Sequence, residues 1–269
     1  MKLLILLALP LAVAVHGQAL RIATWNIHHG THLDTLLAEM SRRPADLFLL
    51  QEVDRNTTRA GNRDIARQLG DRLHMQSCFA VEFEELSQEH GEGAFTGQAT
   101  LSRLPILRTR ILRFKRQSGF WQPRAWIPSS IPLMQRRRGA RVALVTELEF
   151  AGHPLIVYNA HLESRSAGFI QDKQLDEILA DSRHYPASAA IVIAGDLNTK
   201  YLPHIFLHKL EAAGFHSVLG ERIERTHRIA FALDWIFVKG SLRIVDGAVV
   251  RDLKGSDHYP IYATLQHGQ

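Results

Sequence analysis

Short apolar runs recur along this chain, and each stops abruptly against polar residues. Leu20–Trp25, Asp46–Leu50, Leu155–Ala160 and Ala189–Ala194 are rich in Ile, Val and Leu and have the length of buried strands. Between them the apolar period lengthens to that of helices, over Leu33–Arg42, Arg63–Leu73, Ile170–Ser182 and Pro203–Ala213. Val142–Phe150 alternates instead, as an antiparallel strand does, and Gly152-His153 fits a hairpin turn into Leu155–Ala160. Leu233–Val238, Arg243–Val250 and Tyr259–Leu265 complete the expected strands. Strands alternating with helices, mixed with hairpins, predict an α/β protein with mixed sheets and helices outside. No Gly/Ser- or Pro-rich linker divides the chain, so one domain over 20–269 is expected. Cys78 is the only cysteine, which excludes an intramolecular disulfide, and its apolar setting reads as core rather than nucleophile.

Residues 1–19 carry a cation at Lys2, an apolar run Leu3–Val15 and small residues at Gly17 and Ala19. That is the layout of a secretory signal peptide, predicting a secreted or periplasmic protein, or a membrane-anchored one if the segment is not cleaved. The run is too short to span a bilayer comfortably, which takes ~20 apolar residues. The formal net charge of +5 favours encounter with acidic partners: phosphate esters, nucleic acid or anionic lipid. Nothing in the sequence calls for an oligomer, and a monomer is expected.

The chemistry sits where the apolar runs end. Asn26 follows the first, Gln51-Glu52 the second and His161 the hairpin strand; Asp196 and Asn198 follow Ala189–Ala194, and Asp257-His258 precede the last strand. In open α/β sheets ligand sites gather in loops beyond strand ends, so residues far apart in sequence can converge there. A phosphodiester resists hydrolysis because its anionic oxygens repel the nucleophile. A catalyst needs a hard cation, a base for water, and donors for the transition state. Glu52 and Asp257 are candidate carboxylate ligands for Mg2+, with Mn2+ as a substitute. Asp196 and Asn198 can position water, and His161 and His258 can donate to phosphate. Asp234 opens an apolar strand and needs a partner to offset its burial. Taken singly, each residue has an ordinary structural use in a turn, a cap or a solvated strand end. Their order along the chain is what carries weight.

ATWNIHHG (23–30), LLQEVDR (49–55), NAHLES (159–164), GDLN (195–198), LDWIF (233–237) and GSDHYPI (255–261) resemble, in order, the endonuclease/exonuclease/phosphatase superfamily. GQATLSRLPI (97–106) is similar to a further core-strand segment of that family. The resemblance implies a four-layer α/β sandwich, with two mixed β-sheets packed face to face and helices outside. It implies a metal-dependent phosphoesterase, with Glu52 as principal metal ligand, Asn26 beside it and Asp257 near the metal. Asp196 would align or deprotonate water, Asn198 would hold the phosphate or a water, and His161 would face the phosphate. His258 would contact the phosphate and be oriented by Asp234. Whether His258 or Asp196 is the base stays open, and Glu92 is a candidate to orient His161. Gln171 stands where the family pattern leads one to expect arginine. His28, His29 and His32 match no closed metal geometry, although His29 can line the cleft.

Arg113–Arg141 combines basic and aromatic residues with no acid. Such a stretch can grip a polynucleotide or an anionic lipid surface, or be a solvated loop whose aromatics pack on the domain edge. AGDLNTK departs from the inositol-phosphatase pattern and QEVDR from that of the repair nucleases. The expected activity is a phosphodiesterase acting on nucleic acid. The alternatives are a sphingomyelinase-like phospholipid head-group hydrolase and a non-catalytic polyanion-binding protein.

Overall fold

The structure, a computed structural model, describes residues 18–88, 93–124, 126–127 and 137–268. The segment read as a signal peptide lies outside the described residues through residue 17, as do Glu92 and Arg136. The chain runs through β1 (Ala19–His29), α1 (Leu33–Arg42), β2 (Leu47–Thr57), β3 (Arg63–Asp64), α2 (Ile65–Leu73), β4 (Gln76–Glu84), β5 (Phe95–Ser102) and β6 (Ile106–Arg113). It continues through β7 (Arg138–Gly139), β8 (Val142–Phe150), β9 (His153–His161), α3 (Phe169–Ser182), β10 (Ala190–Asp196) and α4 (Pro203–Ala212). The last elements are β11 (His216–Ser217), β12 (Asp234–Lys239), β13 (Leu242–Val249) and β14 (Ile261–His267). One sheet has the order β13-β14-β1-β2-β5-β4-β7, with β3 on β2; the other has the order β11-β12-β10-β9-β8-β6. Both are mixed, because β1 pairs parallel with β2, and β9 with β10, among antiparallel neighbours.

Strand alternation builds the layers. Leu20 and Ile22 of β1, Leu47 and Leu49 of β2, Leu155 and Val157 of β9, and Val192 and Ala194 of β10 meet between the sheets. The alternate residues Trp25 and Ile27 face Leu36 and Met40 of α1 and Leu69 of α2. On the far side, Tyr158 and Ile193 pack against Leu175 and Ile178 of α3 and Leu210 of α4. The result is the expected sandwich of helices, sheet, sheet and helices. Among the described residues no helix is long and apolar enough to cross a membrane.

Helix α1 spans the residues its pattern predicts, with Leu33, Leu36 and Met40 buried along one face. Helix α2 starts two residues later than expected, because Asp64 caps it by accepting from the Arg67 N–H at 3.0 Å. The hairpin turn is Ala151-Gly152 rather than Gly152-His153. Phe150 pairs with His153 around two residues of positive φ (53° and 78°), the two-residue geometry that matches strand twist. Strands β1 and β2 also run past their apolar segments, so Asn26 and Glu52 lie inside them, at bulges, and do not follow them. Strands β4 and β6 were not expected. β6 alternates exposed and half-buried residues at a sheet edge, and its apolar signal is weak.

Two polar inner-face residues stitch the sheets beneath the bulges. The Gln51 amide donates to Asn159 Oδ1 at 2.7 Å, and Asn159 donates to the carbonyls of Leu50 and Ala99. Beside them, buried Asp54 accepts from Arg59, Thr57, Thr96 and His29 Nδ1. Burial opposes ionisation of Asp54, but His29 and Arg59 hold its carboxyl down at about 2, below the ordinary 3.8. A depressed folded-state value stabilises the fold above pH ~4, and that stability is lost as pH falls toward 2. Asp54→Asn should therefore cost roughly 2 kcal/mol near neutrality, and the gap to wild type should narrow in acid, as read from urea unfolding at several pH values. A constant gap from pH 7 to 3 would show that the charge is not what matters.

Candidate active site

Three strands deliver their polar ends side by side. Asp196, the last residue of β10, is in register with His161 on β9 and with Asp234 on β12. Register partners share a sheet face, so an imidazole and a second carboxylate flank Asp196. Gly195 permits this approach: its φ is 134°, and a Cβ there would lie 1.9 Å from the Ala160 carbonyl oxygen. From the other sheet, the β1 bulge carries Asn26 and the β2 bulge turns Glu52 outward at φ 50°. The loop before β14 brings Asp257 and His258. His28, His29, Glu52 and Asn198 all have positive φ, so unusual backbone clusters here.

Glu52, His161, Asp196, Asn198, Asp257 and His258 line one cleft of about 250 Å3. Asp196 is its hub. Oδ2 accepts from Asn26 Nδ2 at 3.2 Å and lies 3.5 Å from His161 Nε2 and 3.8 Å from His258 Nε2. Oδ1 accepts from the Asn198 N–H at 3.0 Å, while the Asn198 side chain donates to the Leu162 carbonyl. His258 Nδ1 donates to Asp234 Oδ2 at 2.8 Å, which leaves Nε2 directed at the cleft. Ser256 holds the same loop, donating to the Asn26 carbonyl and accepting from the His258 N–H. Sequence reasoning thus named residues that the structure brings together, and Asn26 joins them through Asp196 rather than by lining the cleft itself.

Burial works against ionising Glu52, yet His29, His161, His258 and Arg141 hold its carboxyl at about 2. Burial likewise opposes protonation of His258, but Asp234, Asp196 and Glu52 push its imidazole up to about 10. The hydrogen bond from His227 is the largest influence holding Asp257 well below the usual carboxylate range, with His258 and His28 adding to it against burial. Four carboxylates, Glu52, Asp196, Asp234 and Asp257, therefore gather around one cleft. Arg141 pairs with Glu82 at 2.7 Å, and Lys200 donates to the Ser164 carbonyl. Asp234 Oδ1 is buried with no partner among the described residues. Several hard oxygen donors in one cleft suit a divalent cation. Ligand atoms of Asp196, Asp234 and His258, and those of His227, Asp257 and His258, fall within 4.8 Å of one another.

Several partnerships were not readable from the sequence. The carboxylate beside His161 is Glu82 on β4, 3.5 Å from Nδ1. It comes from a strand the pattern missed and sits among neighbouring glutamates that look the same in sequence. His29 is held between Asp54 at 3.2 Å and Glu52 at 3.4 Å, so the bulge and the buried network touch. Gln171 is buried and holds Ser166 and the Asn198 carbonyl, which fixes the loop after β10. Arg141, Lys200 and His227 also line the cleft.

Three arginines of the basic stretch are paired within the fold. Arg141, Arg138 and Arg137 pair with Glu82, Glu84 and Glu85 on and just beyond β4. Trp121 packs on Phe83 and donates to Glu163, under the guanidiniums of Arg137 and Arg141. The acids absent from the stretch come from elsewhere in the fold. Exposed Ile229 lines the cleft, exposed Tyr201 and Leu202 follow cleft-lining Lys200 in the chain, and Trp126 is 71% exposed.

Solved structures share this architecture. The catalytic domain of human nocturnin with bound sulfate is 19% identical with a TM-score of 0.69, covering 94% of each chain. An endonuclease/exonuclease/phosphatase from Beutenbergia cavernae is 18% identical with a TM-score of 0.68, covering 93% of this chain and 72% of the other. D. rerio TDP2 complexed with a single-strand DNA product is 18% identical with a TM-score of 0.62, covering 92% and 99%. No curated protein matched the chain. The sequence pattern of the Endonuclease/Exonuclease/phosphatase family matches residues 23–258, nearly the whole span of the two sheets, and the chain belongs to that family of phosphoesterases.

Proposed function

We propose that this protein is a Mg2+-dependent phosphodiesterase, able to use Mn2+, that hydrolyses nucleic acid. The observation that carries the reading is Asp196, a buried carboxylate whose oxygens accept from Asn26 Nδ2 and the Asn198 N–H and face the Nε2 atoms of His161 and His258. Glu52 and Asp257, with Asn26 beside them, would hold the cation, which supplies charge neutralisation for the phosphate oxygens. His161 and His258 present Nε2 toward the substrate, their Nδ1 atoms facing Glu82 and Asp234. Because its neighbours favour the protonated ring, His258 acts as donor to the phosphate. Asp196 is then the base, aligning water and taking its proton, and Asn198 steadies the group under attack. The positive net charge and the single-strand DNA in the TDP2 neighbour favour nucleic acid.

A second reading, phospholipid head-group hydrolysis, is favoured by exposed Ile229 in the cleft lining and by exposed Tyr201 and Leu202 next to Lys200. A Mg2+ screen over plasmid DNA, RNA, bis-p-nitrophenyl phosphate, sphingomyelin and inositol phosphates separates the readings. Nucleic acid and the chromogenic diester should be cleaved. Release of a lipid head group with DNA and RNA left intact would transfer the assignment to the second reading. Binding of DNA or RNA without turnover of any substrate would make the chain a polyanion-binding protein.

A further inference from the structure

His227 stands outside the motifs, on the loop between β11 and β12, yet it touches two residues of the site. An isolated antiparallel bridge joins His227 to His258. The Arg228 N–H donates to the Asp257 carbonyl, and the Tyr259 N–H donates to the Thr226 carbonyl. This loop is anchored in turn by buried Thr226, whose hydroxyl accepts from the N–H groups of Leu233 and Asp234. The backbone thus fixes where the imidazole sits: edge-on to the His258 ring, with centroids 4.6 Å apart and planes at 81°.

The two ring nitrogens have different partners. Nδ1 lies 2.9 Å from the Ile229 N–H, a group that can only donate, so Nδ1 must be the acceptor. The ring proton then belongs on Nε2, which lies 3.3 Å from Asp257 Oδ2. With this tautomer the Nε2–H holds one carboxylate oxygen of Asp257 in place. Asp257 Oδ1 is left to weaker neighbours, Ser256 Oγ at 3.4 Å and His28 Nδ1 at 3.8 Å.

We infer that His227 is a positioning residue that orients Asp257 for a divalent cation through a backbone-fixed Nε2–H tautomer. This rests on the reading of Asp257 as a metal-facing carboxylate. Outer hydrogen-bond partners of metal ligands are typically worth 10–100-fold in metal affinity or activity.

The test uses three measurements on the full protein with His227→Gln, which keeps an N–H at similar reach, and His227→Ala, which removes it. In the metal-free wild type, 15N–1H correlation of labelled histidines should show His227 protonated on Nε2 and bare on Nδ1. Protonation at Nδ1, or at both nitrogens, would overturn the inference. Mn2+ binding followed by electron paramagnetic resonance without substrate should weaken ~10–100-fold in His227→Ala and stay within about threefold of wild type in His227→Gln. The Mg2+ activation constant on bis-p-nitrophenyl phosphate should move in parallel, with KM for the diester unchanged. Wild-type metal binding in His227→Ala, or equal loss in both variants, would also overturn it. The tautomer and Mn2+ measurements need no turnover, so they separate failure of this inference from failure of the phosphodiesterase reading. The first needs no variant, so a misfolded His227→Ala would still leave the inference testable.

Discussion

Replacing Asp196 by asparagine should lower kcat on bis-p-nitrophenyl phosphate by ~10^4-fold while leaving the fold in place. The substitution keeps the shape of the side chain and an oxygen to accept from the Asn198 N–H. What it removes is the negative charge and the proton-accepting oxygen that faces Asn26, His161 and His258. Because Asp196 is buried at the end of a core strand, a truncation such as alanine would mix cavity formation with chemistry, and asparagine separates them. Thermal unfolding should therefore stay close to that of wild type while turnover collapses. A loss under about tenfold would remove Asp196 from the role of base and return it to His258.

The second large effect is a failure of additivity. Asp234 fixes the His258 ring through a 2.8 Å bond inside the core, so removing either residue removes the same function. Asp234→Ala and His258→Ala should each cost ~10^3-fold in kcat, and the double variant about the same, since residues acting as one unit do not multiply their losses. A double variant down ~10^6-fold would mean that two independent roles had been taken for one. Unpaired burial makes the Asp234 variant informative in a further way. Without the carboxylate His258 loses its largest favourable charge partner, so its pKa should fall from the raised value in that variant. A histidine titration unchanged by Asp234→Ala would contradict the pairing directly.

Much of the fold could be read from periodicity because the sandwich buries both faces of its central strands. β1, β9 and β10 send apolar residues toward different layers, and they appear in sequence as short apolar-rich runs ending at polar residues. The same geometry explains what escaped. β4 and β6 lie toward the edges of their sheets and carry mixed residues, so no run marks them. With β4 went Glu82, whose place beside His161 depends on a neighbour 79 positions on in the chain (161 − 82). Arg141 looked like part of a basic loop because its partner lies on that same unread strand. Asn26, Glu52, Asp196, Asn198, Asp234, Asp257 and His258 were legible only as an ordered set, since a single Asp or Asn at a strand end is the usual residue of a turn. His227 belonged to no motif, and its meaning comes from the fold, through the bridge to His258 and the contact with Asp257.

The central claim is that this cleft works through a divalent cation held by carboxylates, and one titration tests it most directly. Hydrolysis of bis-p-nitrophenyl phosphate is followed in wild type and Glu52→Gln after EDTA treatment and during re-addition of Mg2+ or Mn2+, with metal content measured alongside. Activity should vanish in chelator and return with either ion. Glu52→Gln should need far more metal and recover little. Full turnover by wild-type protein with metal content measured as zero would contradict the account.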